Sequence, residues 1–371
     1  MTNKKPELVC PAGNWSSLIA AVESGADSVY FGVKGINMRR MAENFEISEM
    51  KKIMAYLHER GKKGLLTVNT IILNDELDTI RQVLRAAKDA GVDAVILWDF
   101  AVLTMARELG LAVHISTQAS VSNVKALEFY ANLGAKRLVL ARECTLEQIR
   151  EIKRQIREKN IPCGIETFIH GAMCLTISGR CFMSLYSHGQ SANRGECTQP
   201  CRREYEIKSV DGDENFIIGP DYVLSPKDLC SVDFIDQLIE AGIDAFKIEG
   251  RMRSPEYARI VTEVYREAID TYFDGTLTEE RKGRMKGRLR EVYNRGFSSG
   301  FYFGEPQEAK SERLENIYEK IYVGEVKKYY GKIGVADILV RTGTLRKGEE
   351  ILVIGKTTPA CMATIEEMQQ N

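Results

Sequence analysis

The sequence has no apolar run long enough to cross a bilayer, and residues 1–11 hold only a short apolar stretch where a secretory signal would need a longer one. A cytoplasmic protein with no membrane partner is expected. Net charge is also nearly absent, at −1 over 371 residues. Any nucleic-acid binding must therefore come from local patches rather than overall attraction. Histidine is scarce: there are four, and His58-Glu59 is followed by no second histidine, so no His-Glu-x-x-His zinc-peptidase helix exists. With 44% hydrophobic and 28% charged residues, the composition is that of an ordinary globular protein. The length exceeds what one core usually holds, so one large unit and a smaller one are expected.

An alternation of short apolar runs with helical periodicity fills the first 275 residues. Strands are expected at 8–10, 28–33, 64–72, 94–98, 112–116, 137–141, 164–169 and 245–248. Helices are expected at 15–24, 48–60 (Ser48 as N-cap), 76–90, 100–109, 121–133, 146–159, 234–240 and 255–273. Most helices stop at a glycine. A phrase of the form Gly-Ala-Asp-Ser-Val-Tyr-Phe at Gly25 recurs in outline at Gly91, Gly134 and Gly242. Continuous apolar strands suit a sheet buried on both faces. Eight such units point to an α/β fold, a (β/α)8 TIM-like barrel over residues 1–275, with an open doubly wound sheet as the rival. Residues 276–317 read as a helical basic connector. Residues 318–371 read as a small β-barrel-like domain; there 345–355 weakly resembles the second domain of translation elongation factors.

Barrel chemistry sits at the C-terminal strand ends. By position this nominates Asn69, Asp99, Gln118, Glu143, Glu166 and Glu249, each of which could equally cap a helix or pair with an arginine. A long interruption, 171–230, follows strand seven on that same side. It carries Cys174, Cys181, Cys197 and Cys201 in the spacing Cys-x6-Cys-x15-Cys-x3-Cys, among glycines and Arg180, Arg194, Arg202 and Arg203. Structural zinc sites usually pair cysteines two to four apart. The wider first pair suits zinc poorly and permits a cubane iron–sulfur cluster, whose negative charge the arginines could balance. Cys10, Cys144, Cys163 and Cys361 read as filler, and Cys230 as a reserve ligand. In the connector, Arg281, Lys282, Arg284, Lys286, Arg288 and Arg290 form either a solvated helix face or a phosphate-contacting stripe.

The run Glu166-x-Phe168-x-x-Gly171-Ala172-Met173-Cys174-x4-Gly179-x-Cys181-x-Met183-Ser184 resembles the signature of the collagenase-like peptidase family U-32. The opening Glu7-Leu-Val-Cys-Pro11-Ala12-Gly13 and Lys247-Ile-Glu249-Gly250-Arg251 are similar to the family as well. The family takes its name from collagen degradation. Several members are instead oxygen-independent hydroxylases of tRNA wobble uridine, of 23S rRNA cytidine or of a ubiquinone precursor. The resemblance implies a 4Fe–4S cluster on four cysteines, with Cys174 and Cys181 as the secure ligands, and, in the tRNA branch, prephenate as cosubstrate. On this basis Glu166, His170, Arg180 and Glu249 are catalytic candidates. Asn69, Gln118, Glu143, Arg202, Arg251 and Arg253 are substrate-binding candidates, the arginines for a carboxylate cosubstrate. RNA, tRNA foremost, is the expected partner. A peptidase and a non-enzymatic RNA- or partner-binding scaffold remain alternatives. Gly296-Phe-Ser298-Ser-Gly300 fits the nucleophile-elbow pattern but lacks the expected strand and helix around it and lies beyond the barrel, so it is read as coincidence.

Overall fold

The structure, a computed structural model, describes residues 4–203, 225–304 and 320–369. The expected insertion and connector therefore lie partly outside the described residues. The chain begins with β1 (Glu7–Ala12), α1 (Trp15–Glu23), β2 (Ser28–Phe31), α2 (Met50–His58), β3 (Lys63–Thr67), α3 (Leu77–Asp89), β4 (Ala94–Leu97) and α4 (Phe100–Glu108). It continues through β5 (Val113–Ile115), α5 (Val124–Asn132), β6 (Ala135–Val139), α6 (Leu146–Glu158) and β7 (Gly164–Gly171). A short helix α7 (Met183–His188) stands in the insertion. Then come β8 (Asp228–Cys230), α8 (Ile235–Glu240), β9 (Ala245–Ile248), α9 (Pro255–Phe273), α10 (Glu279–Arg290) and β10 (Phe297–Ser298).

Strands β1 to β7 pair in sequence, all parallel, and β9 pairs in parallel with both β7 and β1. The sheet is thus closed: a (β/α)8 barrel. Side chains alternate across each strand. Val9, Tyr30, Leu65, Ala94, Ile96 and Ala245 form a separate apolar cluster, the barrel's inner face. Their neighbours Leu8, Cys10, Phe31, Leu66, Val95 and Phe246 join the much larger cluster between sheet and helices. Phe31 and Phe246 are fully buried there, each worth roughly 1.5–3 kcal/mol against exposure. Helix starts are set by short polar side chains: Asn14, Asp99, Asn123 and Thr145 each accept from a first-turn N–H.

Several boundaries differ from expectation. Strand β3 ends at Thr67, because Asn69 and the residues after it turn over the barrel mouth. Ser48 does not cap α2; it lies inside a tight turn, 47–49, where the Glu49 carboxylate accepts from the Glu46 N–H at 2.8 Å. Strand β7 runs on to Gly171 because β8 returns antiparallel beside its end, His170 opposite Cys230. Segment 294–301 is not beyond the barrel in space. Its strand β10 pairs with β8, and the Tyr302 hydroxyl donates to Phe168 O at 2.7 Å.

The basic helix α10 is spent on packing. Lys282 is buried and reaches Asp236 and Glu279 at 3.0 and 2.9 Å; Lys286 reaches Asp233 at 2.6 Å; Arg288 bridges Glu263 and Glu267 of α9. The phosphate-stripe expectation gives way to that of a helix tied to its neighbours by ion pairs. In the C-terminal region, β11 (Gly324–Tyr330) pairs with β12 (Val335–Val340), and β13 (Glu350–Val353) with β14 (Cys361–Thr364). Among the described residues these are two hairpins not joined into one sheet. No described helix is long and apolar enough to cross a membrane.

Candidate active site at the barrel mouth

Glu249 follows directly on β9 and marks the mouth. Arg39, from the loop after β2, donates to its Oε1 twice, from Nε at 3.1 Å and Nη2 at 2.9 Å. Arg142, after β6, faces the other oxygen at 3.9 Å. Burial disfavours charge on Glu249, but Arg39, Arg142 and Arg251 overcome it and hold the carboxyl below the usual range. Arg39 is pushed upward chiefly by Glu249, against burial. Arg142 faces Glu249 and also bonds the backbone two residues before Cys174, so the carboxylate and the start of the cysteine segment share one guanidinium.

Arg142 also fixes the approach to Cys174. Its Nη1 donates to Ala172 O at 2.7 Å, and its guanidinium lies over the Phe168 ring at 4.0 Å. From the other side Arg202 Nη2 donates to Met173 O at 2.7 Å. Arg202 adjoins Cys201, so it ties the two ends of the cysteine segment together. Within the segment, Cys181 N–H donates to Asn193 Oδ1 at 2.7 Å, and the buried Ser184 hydroxyl lies 3.9 Å from Cys197 Sγ. Gly195 is required here: its φ is 90°, and a Cβ would stand 2.2 Å from Asn37 O. The loop thus lies directly on the loop that carries Arg39.

All four cysteines of the segment are free, Cys174 exposed and the other three half-buried. Burial pushes the Cys201 thiol up, and Arg202 opposes this. Among the described residues no three His, Cys, Asp or Glu side chains are already gathered as a metal-holding group. The donor set suits a cluster in chemical kind, four free thiols in one segment with arginines beside them. Cys230 is not brought to this set. It is buried in the core, with the Tyr265 hydroxyl 3.8 Å from its Sγ.

The other nominated residues divide. Asn69 and Gln118 meet at the mouth: Asn69 Nδ2 donates to Gln118 Oε1 at 3.3 Å and to Ser116 Oγ at 3.2 Å, and Ser116 bonds Gln118 in turn. Arg180 lies over them, exposed, 3.5 Å from Gln118 O. Glu143 is exposed, while its neighbour Arg142 turns inward. Asp99 caps α4. Arg251 is buried beneath the mouth, donating to Thr67 Oγ1 at 2.6 Å and to Asn37 Oδ1; Gly32 leaves room for it, since a Cβ there would lie 2.4 Å from its Nη1. Arg253 stacks on Tyr293 at 4.0 Å. Arg251 is thus buried and Arg253 half-buried.

Two catalytic nominations are corrected by position. Glu166 is the third residue of β7, not near its end, roughly 16 Å of strand below Gly171. It is 1% exposed and lies inside the barrel, 2.6 Å from Lys247 Nζ and 3.3 Å from Arg137, which in turn holds Glu7 at 2.8 Å. Burial works against its charge, and Lys247 and Arg137 outweigh burial, so its pKa stays low. His170 points out of the barrel, among Tyr257, Tyr265 and Phe297, with Nδ1 3.2 Å from the Tyr265 hydroxyl. Burial lowers its pKa to about 3, so it is a neutral packing residue.

Arg39 and Arg142 are the residues that sequence reasoning missed. Both lie in loops after strands, where position alone nominated the neighbouring Glu143 but no arginine. Arg142 directly follows the β6 run, and that was the available signal.

The fold and site define a class: a closed (β/α)8 barrel whose mouth is roofed by a cysteine-bearing insertion after strand seven. The chain belongs to peptidase family U32, whose model matches residues 13–312. It is 42% identical to a protein named collagenase from Porphyromonas gingivalis, over 98% of this chain and 90% of that one. It is 35% identical to tRNA hydroxylation protein P1 of Bacillus subtilis, over 98% of this chain and 86% of that one. It is 34% identical to the 23S rRNA 5-hydroxycytidine C2501 synthase of Escherichia coli, over 77% of this chain and 43% of that one.

Proposed function

We propose that this chain is an oxygen-independent RNA hydroxylase, with wobble uridine of tRNA as its substrate and a 4Fe–4S cluster on Cys174, Cys181, Cys197 and Cys201. The carrying observation is that four free thiols belong to the segment that Arg142 and Arg202 anchor at the barrel mouth, where Arg142 and Arg39 also meet Glu249. Relatives named for tRNA and rRNA hydroxylation match this chain over most of its length, which supports an RNA substrate. When bound, such a cluster supplies one-electron chemistry at the mouth. The chain's own residues do the rest. Arg142 and Arg202 hold the backbone before Cys174. Glu249 stays ionised between two guanidinium groups and is the acceptor for a proton at the mouth. Asn69 and Gln118 offer amide groups to a base edge. Prephenate is the cosubstrate in this reading, with Arg180 as the exposed guanidinium for its carboxylates.

One observation favours a second reading, peptidase activity: the 42% identical relative is named collagenase. Among the described residues no serine or cysteine is hydrogen-bonded to a histidine: His170 is bonded to Tyr265 and His58 to Asp93, and the one small hydroxyl beside an imidazole is that of Thr198, 3.2 Å from His188 Nδ1. Ser298 Oγ accepts from Gly300 N–H at 3.3 Å, with no histidine beside it.

Mass spectrometry of tRNA and rRNA from a deletion strain tests the proposal. A hydroxylated uridine should vanish and return with the wild-type gene but not with Cys174→Ala. Unchanged RNA in the deletion strain, with gelatin cleavage by the purified wild type, would overturn it for the peptidase.

A further inference from the structure

Among the described residues, helix α7 presents an aromatic face with no partner. Its inner side is pinned to the cysteines: buried Ser184 accepts from Thr198 N–H at 3.1 Å and lies beside Cys197. Its outer side carries Tyr186, 86% exposed, and Phe182 just before the helix, 57% exposed. Their rings are 6.2 Å apart and tilted at 58°, the spacing of residues four apart on one helix face. Leu175, Ile177 and Leu185 are exposed around them. Rings of this size seldom stay in water without a use.

Local charge selects the occupant. Within 171–203 there are four arginines, Arg180, Arg194, Arg202 and Arg203, against one acid, Glu196, in a chain of net charge −1. Arg194 is committed to Glu76 at 3.0 Å and Arg202 to Met173 O, but Arg180 and Arg203 are exposed. Exposed aromatics interleaved with arginines suit unpaired nucleotides: rings stack on splayed bases and guanidinium groups meet phosphates. An apolar protein partner would match the rings but not the surplus of positive charge.

We propose that Phe182 and Tyr186 form a stacking platform for unpaired bases of an RNA loop, delivering one nucleotide to the barrel mouth. This rests on the RNA reading above and adds the surface that selects looped over paired RNA. Because α7 is tied to Cys197 through Ser184, a loop seated on it is held at a fixed position relative to the thiols.

The test is binding of a labelled synthetic RNA stem–loop, and of a full duplex of the same strands, to anaerobically purified full-length protein. Wild type should prefer the stem–loop. The double variant Phe182→Ala/Tyr186→Ala should weaken stem–loop binding by about tenfold or more, as loss of base–aromatic stacking does. Duplex binding and iron content should not change. Tyr186→Trp should retain stem–loop affinity. Equal weakening for stem–loop and duplex, or none for either, would overturn the platform. So would a double variant that binds RNA normally but loses affinity for gelatin, marking a protein interface. Iron content reports separately: iron-free wild type that still discriminates the stem–loop would sink the cluster while leaving the platform standing.

Discussion

Glu166, buried, and Glu249, half-buried, belong to neighbouring strands and opposite halves of the barrel, and they serve different ends. Glu166 lies in the interior, closed off by Lys247 and Arg137, with Glu7 completing the chain of charges. Glu249 lies at the mouth, between Arg39 and Arg142, 12% exposed. Both are ionised because nearby cations outweigh burial. The difference is access. The interior network runs through Glu7 to Lys63 at the end of the barrel away from the mouth, so it holds the barrel's geometry. The mouth network borders solvent and the cysteine segment, so it is placed for chemistry. A perturbed carboxylate alone does not mark a catalytic group; where the strand delivers it decides.

Glu166→Gln gives the largest expected effect on stability. It leaves Lys247 and Arg137 buried without their counter-charge, a loss of about 3–5 kcal/mol. Urea unfolding measures it. A loss below about 1 kcal/mol would show that water reaches the interior network and would erase the contrast with Glu249. Lowering the pH comes next. His170 and His114 are buried, with pKa values lowered by burial to about 3 and about 4. Unfolded histidine titrates near 6.5. Between that value and pH 4 the unfolded state binds more protons than the folded state, so stability should fall with falling pH, by up to about 1.4 kcal/mol per pH unit for each histidine. Replacing His170 with Gln should remove one histidine's share of that slope. An unchanged slope would mean that the imidazole is charged in the fold.

The barrel was legible because its signals are local and repeated: apolar strands, capped helices, glycine stops. The position of the cysteine segment was legible too, since an insertion after strand seven must leave on the functional side. What misled was depth. The order of residues around Glu166 and His170 does not show where β7 ends, and that end is set by β8 returning from residues far along the chain. Likewise the six charges on α10 read as a solvated face or a phosphate stripe until partners outside the helix appear for three of them, Lys282, Lys286 and Arg288. Those partners, Asp233, Asp236, Glu263 and Glu267, come from separate elements that only the closed fold brings near. Arg39 and Arg142 escaped for the same reason: each is defined by Glu249, from a distant strand.

Glu249→Gln separates the two networks from the functional side. Its stability cost should be about 1 kcal/mol, since Arg39 is 26% exposed and water can solvate it once the carboxylate is gone. RNA hydroxylation should nevertheless be lost while iron content and stem–loop affinity persist. Retained modification would reduce the mouth network to a second structural ion cluster. The smallest effect belongs to α10. Arg288→Ala removes pairs to Glu263 and Glu267 at 2.8 and 2.9 Å, at a half-exposed position, and should cost less than about 1 kcal/mol. Its RNA affinity and the salt dependence of that affinity should match wild type, because the guanidinium is already engaged. A salt slope shallower by about one would instead assign Arg288 to a phosphate. The RNA surface would then extend from the mouth across α10, and the contrast between a chemical face and a structural remainder would no longer hold.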